Sequence, residues 1–375
     1  MMRPDSDAQL AEAIRDASGG LAVQGGGTRG MQVAGEVLST RGLCGISLYD
    51  PGALTMVAGA GTPLTEIEAA LEAEGQMLAF EPYDLSVVTG ASGASTIGGV
   101  FASNASGPRR VQVGAARDFL LGVRFVDGAG RIVKNGGRVM KNVTGYDLVK
   151  LMAGAYGTLG VLSEVSLKTL PQPEATATLE IKGLDATRAV AAMSAAMGTP
   201  YDVSAAAHLD AQGGRTFVRV EGFEDSVAYR AKALRAALHD YGAVVACDGD
   251  IWAGLRDLSV MEDAQTLWRV ALRPSDAPKF LTQIRQLPDG ANASAHMDWS
   301  GGRIWIGAPM ASAAGLHSAL QTLAAQMRGH VTLIHSAAPM DLPRFQPESV
   351  GVARLSAALR RKFDPRGILN AGLMG

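Results

Sequence analysis

Three tracts of small residues hold most of the chemistry open to this sequence. The first is Gly25–Gly26–Gly27–Thr28–Arg29–Gly30. Consecutive glycines let successive backbone N–H groups turn inward as a nest for an anion. The Thr28 hydroxyl adds a donor and Arg29 adds charge. The second tract runs over residues 93–110 and offers Ser95, Thr96, Gly98, Gly99, Ser103, Asn104, Ser106 and Gly107. Such residues contribute little to a core, but they suit backbone lying flat against a ligand with ring and phosphate parts. The third, residues 154–162, ends on Gly160, Val161 and Leu162. A strand-connecting turn would account for one of these tracts; all three together imply one extended ligand.

Gly25, Gly27 and Gly30 also satisfy the pattern G-x-G-x-x-G after a short strand. That motif binds a dinucleotide only where a helix begins at it, so that the helix N-terminus faces the pyrophosphate. The continuation Met31–Gln32–Val33–Ala34–Gly35 is too short and too broken by glycine to be that helix. The first tract therefore reads as a phosphate cradle built from loop backbone.

The elements around the tracts follow from periodicity. Leu10, Ala11, Ile14 and Ala17 fall on one face of a helix over 7–17, and 21–23 reads as a buried strand. Short strands fill 37–60. A helix follows with Thr62 as N-cap, Pro63 in its first position and Leu64, Ile67, Ala70 and Leu71 as its apolar stripe; Gly75 closes it. A hairpin is expected from 120–126 and 131–133 around a turn at 127–130. Pro171 and Pro173 mark a boundary. Beyond it, strand-like runs (217–220, 303–306) alternate with alanine-rich helical runs (226–239, 311–327), the pattern of a small sheet with helices on it. An amphipathic helix occupies 350–363. No internal repeat is visible. The expected units are 1–172, 173–335 and 336–375.

Composition narrows the function classes. Apolar residues make up 47% and charged residues 19% of the 375, which is ordinary for a packed protein. The formal net charge of −2, without a basic run, speaks against a nucleic-acid binder. The two cysteines, Cys44 and Cys247, are expected to be small buried residues in a reducing compartment, and they cannot supply the four thiolates of a usual iron–sulfur cluster. No apolar run is long enough to span a bilayer and the first residues lack a secretory pattern. The expectation is a cytoplasmic protein, held at a membrane only through partners.

The tracts resemble the FAD-binding domain of the vanillyl-alcohol-oxidase and D-lactate-dehydrogenase type of flavoprotein, and more closely the E-type subunit family of bacterial glycolate oxidase. The matching segments are residues 25–28, 60–68, 75–78 and 106–110, the block Val139–Met140–Lys141–Asn142–Val143–Thr144–Gly145–Tyr146–Asp147–Leu148, residues 157–162, and residues 363–367 with Asn370. The resemblance implies an α+β fold: a two-lobed FAD-binding domain of PCMH type, an α/β cap domain, and a C-terminal helix returning to the FAD domain. It implies that residues 25–30 and 95–99 lie along the pyrophosphate, that 103–107 run close to the flavin, and that Gly160 and Val161 offer backbone groups. It departs in places. No histidine precedes His208 and Cys44 matches no attachment site, so the FAD is expected to be non-covalent. Gln24 stands where relatives often carry arginine, and the closing Asn–Pro–Gly of relatives is Asn370–Ala371–Gly372.

Oxidising a 2-hydroxy acid needs a base for the hydroxyl proton, a cation for the carboxylate, and the C–H held near the flavin. The catalytic relatives use a histidine-rich cap segment, often with a metal. The nearest stretch here, residues 296–305, has the single histidine His296 and lacks a metal-ligand set. His335 is a distant alternative. Arg109 and Arg110 could hold a carboxylate, stabilise an anionic reduced flavin or form a partner interface; Lys141, Tyr146 and Asp147 have weaker claims. No catalytic residue and no metal ligand is assigned. The reading is an FAD subunit of a multisubunit 2-hydroxy-acid (glycolate) oxidase or dehydrogenase. Its implied partners are a D-type flavoprotein subunit and an iron–sulfur subunit. The alternatives are a self-sufficient FAD-dependent D-lactate or glycolate dehydrogenase and a non-catalytic assembly subunit.

Overall fold

The computed structural model describes every residue except 139–144, 212, 248 and 375, so Lys141 lies outside the described residues. The chain opens with the helix Asp7–Asp16, whose buried Leu10, Ala11 and Ile14 share one face and whose first turn is capped by Ser6. Strand β1 (Leu21–Gln24) then pairs in parallel with β2 (Glu36–Ser39). Parallel neighbours need a long crossover. Here residues 25–35 make it without a helix, and this throws the first glycine tract across the end of the strand pair.

Five further strands, β3 (Ile46–Asp50), β4 (Thr55–Gly59), β6 (Leu120–Val126), β7 (Ile132–Gly136) and β8 (Val161–Lys168), form an antiparallel sheet in the order β3-β4-β8-β6-β7. The small pair β5 (Gln76–Met77) and β9 (Leu170–Pro171) lies apart from it. Met56, Phe125, Val165 and Leu167 of the sheet share a core with Ile67 and Leu71 from the helix Leu64–Glu72 and with Phe101 from the helix Ile97–Ser103. One expectation about the first of these helices fails. Pro63, not Thr62, is its N-cap, while the Thr62 hydroxyl donates to the Gly59 carbonyl at 2.7 Å and accepts from the Gly45 N–H at 2.9 Å. Thr62 is buried and pins a turn, a task the helix signal hides.

The remaining strands are β10 (Ala175–Lys182), β11 (Val203–Leu209), β12 (Arg215–Gly222), β13 (Val244–Ala246), β14 (Thr266–Ala271), β15 (Ser294–Asp298), β16 (Arg303–Ala308) and β17 (His330–Ser336). They form one eight-stranded sheet in the order β13-β10-β12-β11-β15-β16-β14-β17. With the helices Ala186–Met197, Glu224–Ala237, Ala277–Arg285 and Ala313–Gln326, the chain order is strand-helix-strand-strand-helix-strand, twice over. Each half is a split β-α-β unit. The halves meet edge to edge through two residue pairs, His208 with Met297 and Leu209 with His296. This duplication corrects the expectation of no internal repeat: it lives in strand order and is not marked by residue identity.

Alternation along these strands gives the sheet two faces. Val218, Val220, Trp268, Val270, Ile304 and Ile306 pack among the helices. Their alternates, including Arg219, Glu221, Arg269, Arg303 and Trp305, turn toward the first sheet's side, where Trp305 joins its core. The helix Val350–Phe363 returns to that side at its last residue. Phe363 packs on Phe125 with ring centres 6.2 Å apart, and no residue of the helix is buried. The cysteines depart from expectation as well: Cys44 is exposed in the turn before β3, and Cys247 is half-buried.

Candidate functional site

A groove of about 820 Å³ opens where the three tracts converge. Of the expected site residues, Gly25, Gly27, Arg29, Gly98, Gly99, Ser103 and Gly160 line it. The wall of residues 25–29 is unusual, because the N–H groups of Gly25, Gly26, Gly27, Thr28 and Arg29 find no acceptor among the described residues. Gly27 and Gly30 take φ of 74° and 67°, the left-handed region that favours glycine. Unpaired N–H groups on a curved backbone are donors for an anion.

Of the other expected residues, Ser95 and Thr96 back this wall, while Asn104, Ser106, Gly107 and Val161 are engaged elsewhere. A Cβ on Gly25 would collide with the Thr96 hydroxyl, and one on Gly26 with the Ala94 carbonyl, so the first tract lies directly on the second. Thr96 caps the helix Ile97–Ser103 through the Gly99 N–H at 3.3 Å. The Ser103 hydroxyl donates to the Gly99 carbonyl at 2.7 Å. Asn104 accepts from the Arg117 N–H, and Ser106 accepts from the Ala116 N–H, both at 2.9 Å. The Gly107 carbonyl accepts from the Trp299 indole at 2.9 Å. Val161 points into a small core with Leu10 and Leu369. Arg29 turns away from the glycines, donating to the Tyr83 carbonyl and, at 2.8 Å, to the Ser95 hydroxyl.

Several lining residues escaped the sequence reading. Tyr156 and Gly157 stood inside the third tract without an assigned role, Gln24 was noted only as a departure, and Asn370 only as a residue of a matching motif. Met152 and Leu373 carried no signal at all. Asn370 closes the groove: its Oδ1 accepts from the Val23 N–H and its Nδ2 donates to the Tyr156 carbonyl, each at 2.7 Å.

Across from the groove, the cap sheet presents charge. Arg219 meets Glu81 at 2.9 Å and Glu221 at 3.2 Å, and Arg109 binds Glu221 and, through its N–H at 2.8 Å, Glu81. Burial alone would raise the Glu81 carboxyl, but Arg219 and Arg109 outweigh it and hold the group below its ordinary value. Arg109 is thus engaged in a network joining the two sheets. Arg303 pairs with Asp298, both fully buried, and also donates to the Ser106 carbonyl. His296 is buried, and burial together with Arg303 pushes its pKa down to about 3, so the ring is neutral; neither ring nitrogen has a partner. His335 lies on β17, its pKa lowered by burial and Arg344. Tyr146 is exposed at its ring, and Asp147 caps the helix Leu148–Met152. Among the described residues, no group of three or more His, Cys, Asp or Glu is placed to hold a metal ion.

The comparisons with known proteins agree with this geometry. Residues 1–136 match the FAD binding domain family. A solved structure of alkyldihydroxyacetonephosphate synthase superposes on 98% of this chain and 76% of its own with a TM-score of 0.72, at 15% identity, which speaks for the fold alone. Fold and groove together define an FAD-binding oxidoreductase with a PCMH-type domain. Glycolate oxidase subunit GlcE of Escherichia coli (strain K12) is 36% identical over 98% of this chain and 95% of its own length. The chain belongs to the family of that subunit. Glycolate oxidase subunit GlcD of Bacillus subtilis (strain 168) is 33% identical, but only over 39% of this chain and 29% of its own. No helix among the described residues is long and apolar enough to cross a membrane.

Proposed function

We propose that this chain is the FAD-carrying subunit of a multisubunit 2-hydroxy-acid oxidase or dehydrogenase of the glycolate type. Its partners are a D-type flavoprotein subunit and an iron–sulfur subunit that takes the electrons onward. The observation that supports this best is the row of N–H groups at residues 25–29, left without acceptors beside a groove that all three tracts share. Those N–H groups would hold the diphosphate. Gly98, Gly99, Ser103, Tyr156 and Gly160 would bound the remainder, with no residue positioned as a covalent anchor. Bound flavin supplies a two-electron acceptor for the C–H of the hydroxy acid. Residues 1–172 would form the FAD-binding domain, 173–335 the cap, and 336–375 the segment that completes the groove.

Purification of the tagged chain from its own cells tests the reading. Bound flavin released intact by acid, together with co-purifying flavoprotein and iron–sulfur chains, is the expected result. A chain colourless after FAD reconstitution contradicts it.

A further inference from the structure

Between the groove and the cap sheet lies a concentration of arginine that internal pairing does not explain. Arg109, Arg219 and Arg303 each meet a carboxylate. Arg29, Arg110 and Arg269 form no ion pair with any described residue. Arg269 donates to the Tyr83 hydroxyl at 3.2 Å and to the Tyr156 hydroxyl at 3.4 Å, and neither partner is a carboxylate. Arg29 stacks on the Tyr83 ring at 5.3 Å, and its Nε is buried with no acceptor. Arg110 lies over the Trp299 ring at 4.4 Å, with Arg303 over the same ring at 4.0 Å. Asp84 and Asp257 act on Arg29 only from beyond contact, and burial holds its pKa below the ordinary value.

Arginine keeps its proton inside proteins, and an enclosed guanidinium without a counter-anion is destabilising. A fold that gathers three of them at one place gains when an anion arrives. Position says what kind of anion. Arg29 and Tyr156 line the groove, Tyr83 links Arg29 to Arg269 on the cap side, and Tyr156 holds Arg269 from the groove. The diphosphate already has the glycine N–H wall. What remains is a place for a small anion between the Arg269 fork and the unpartnered Nε of Arg29, whose Nη1 and Nη2 already serve the Tyr83 carbonyl and the Ser95 hydroxyl, and a two-oxygen carboxylate can bridge such donors.

We propose that Arg29 and Arg269, oriented by Tyr83 and Tyr156, bind the carboxylate of a small organic acid at the cap end of the groove, with Arg110 adding positive field. The proposal rests on the flavin reading above and places substrate recognition in this chain, not in a partner alone.

The test begins with the FAD-to-chain ratio of the purified protein, which reports on the flavin reading by itself. The loaded chain is then titrated with oxalate, a carboxylate with no C–H to oxidise, and with inorganic phosphate. Binding is followed by the visible flavin spectrum and by calorimetry. Oxalate should give a saturable response, with phosphate at least about tenfold weaker. Arg269→Gln should weaken oxalate by at least about tenfold while the FAD ratio and melting temperature hold. Arg188→Gln, at an exposed position of the helix Ala186–Met197, should leave oxalate affinity and the FAD ratio unchanged. Should Arg269→Gln fail to fold, Arg269→Lys, which keeps the charge and loses the fork, is expected to weaken oxalate as well. A fully flavin-loaded chain without a saturable oxalate response, phosphate bound as tightly as oxalate, or unaltered affinity in the folded variant would overturn the site. A chain without flavin sinks the functional reading, and the calorimetric titration then judges the site.

Discussion

The interface between the two sheets contains two sets of arginines, treated in opposite ways. Arg109 and Arg219 are enclosed with Glu81 and Glu221, so each charge has its counter-charge and the set joins one sheet to the other. Arg29, Arg110 and Arg269 meet rings, hydroxyls and, for Arg29, a backbone carbonyl, but no carboxylate among the described residues. The first set serves the folded chain whether or not anything is bound. The second is complete only with a ligand. The same residue type thus marks structure or function according to whether a carboxylate accompanies it.

Removing one partner of a buried charge set strands the other, which typically costs about 3–5 kcal/mol. Glu221→Gln should therefore produce the largest loss, measured as a shift of the urea midpoint; a midpoint unchanged would dissolve the distinction between the two sets. Asn370→Ala comes next. It leaves the part-buried Val23 N–H and Tyr156 carbonyl without their present partner, at about 1 kcal/mol each, and should lower both stability and retained FAD.

A pH titration of unfolding gives a smaller, graded effect. The His296 pKa is depressed to about 3 in the folded chain, against roughly 6.5 unfolded. The unfolded state therefore binds the extra proton between those values, and stability falls as pH drops from about 6.5 toward 3, by at most about 1.4 kcal/mol per pH unit. His296→Leu should flatten that slope. Glu81 works over a lower window: its contribution is full above roughly 4.3 and is lost as pH falls through its depressed folded value.

The smallest effect belongs to the unpaired set. Arg269→Gln orphans no carboxylate, so chain stability should stay within about 1 kcal/mol. A loss as large as that of Glu221→Gln would show that Arg269 is structural after all.

Much of the first part of the fold was legible. The helix Asp7–Asp16, the β6–β7 hairpin and the three tracts follow from periodicity and glycine placement, because each is a local signal. The use made of each hydroxyl was not legible. Asn104 and Ser106 look like ligand contacts in sequence, yet they satisfy nearby backbone groups, whereas Ser103 lines the groove while bonding the Gly99 carbonyl, and only the path of the chain decides between those uses. Arg29 likewise follows Tyr83 and Ser95, more than 50 positions away. The cap's duplication stayed hidden because strand order is set by pairing across the sheet. Asn370 was visible as a motif letter, but its partners are 347 and 214 positions distant.

That last separation bears on how the protein is made. The groove's floor at residues 23–25 leaves the ribosome long before residues 369–373, which fasten it to the third tract and supply part of its lining. The nascent chain therefore exposes a half-built cradle throughout synthesis of the cap, and the cradle is complete only once residues 370 and 373 have joined it.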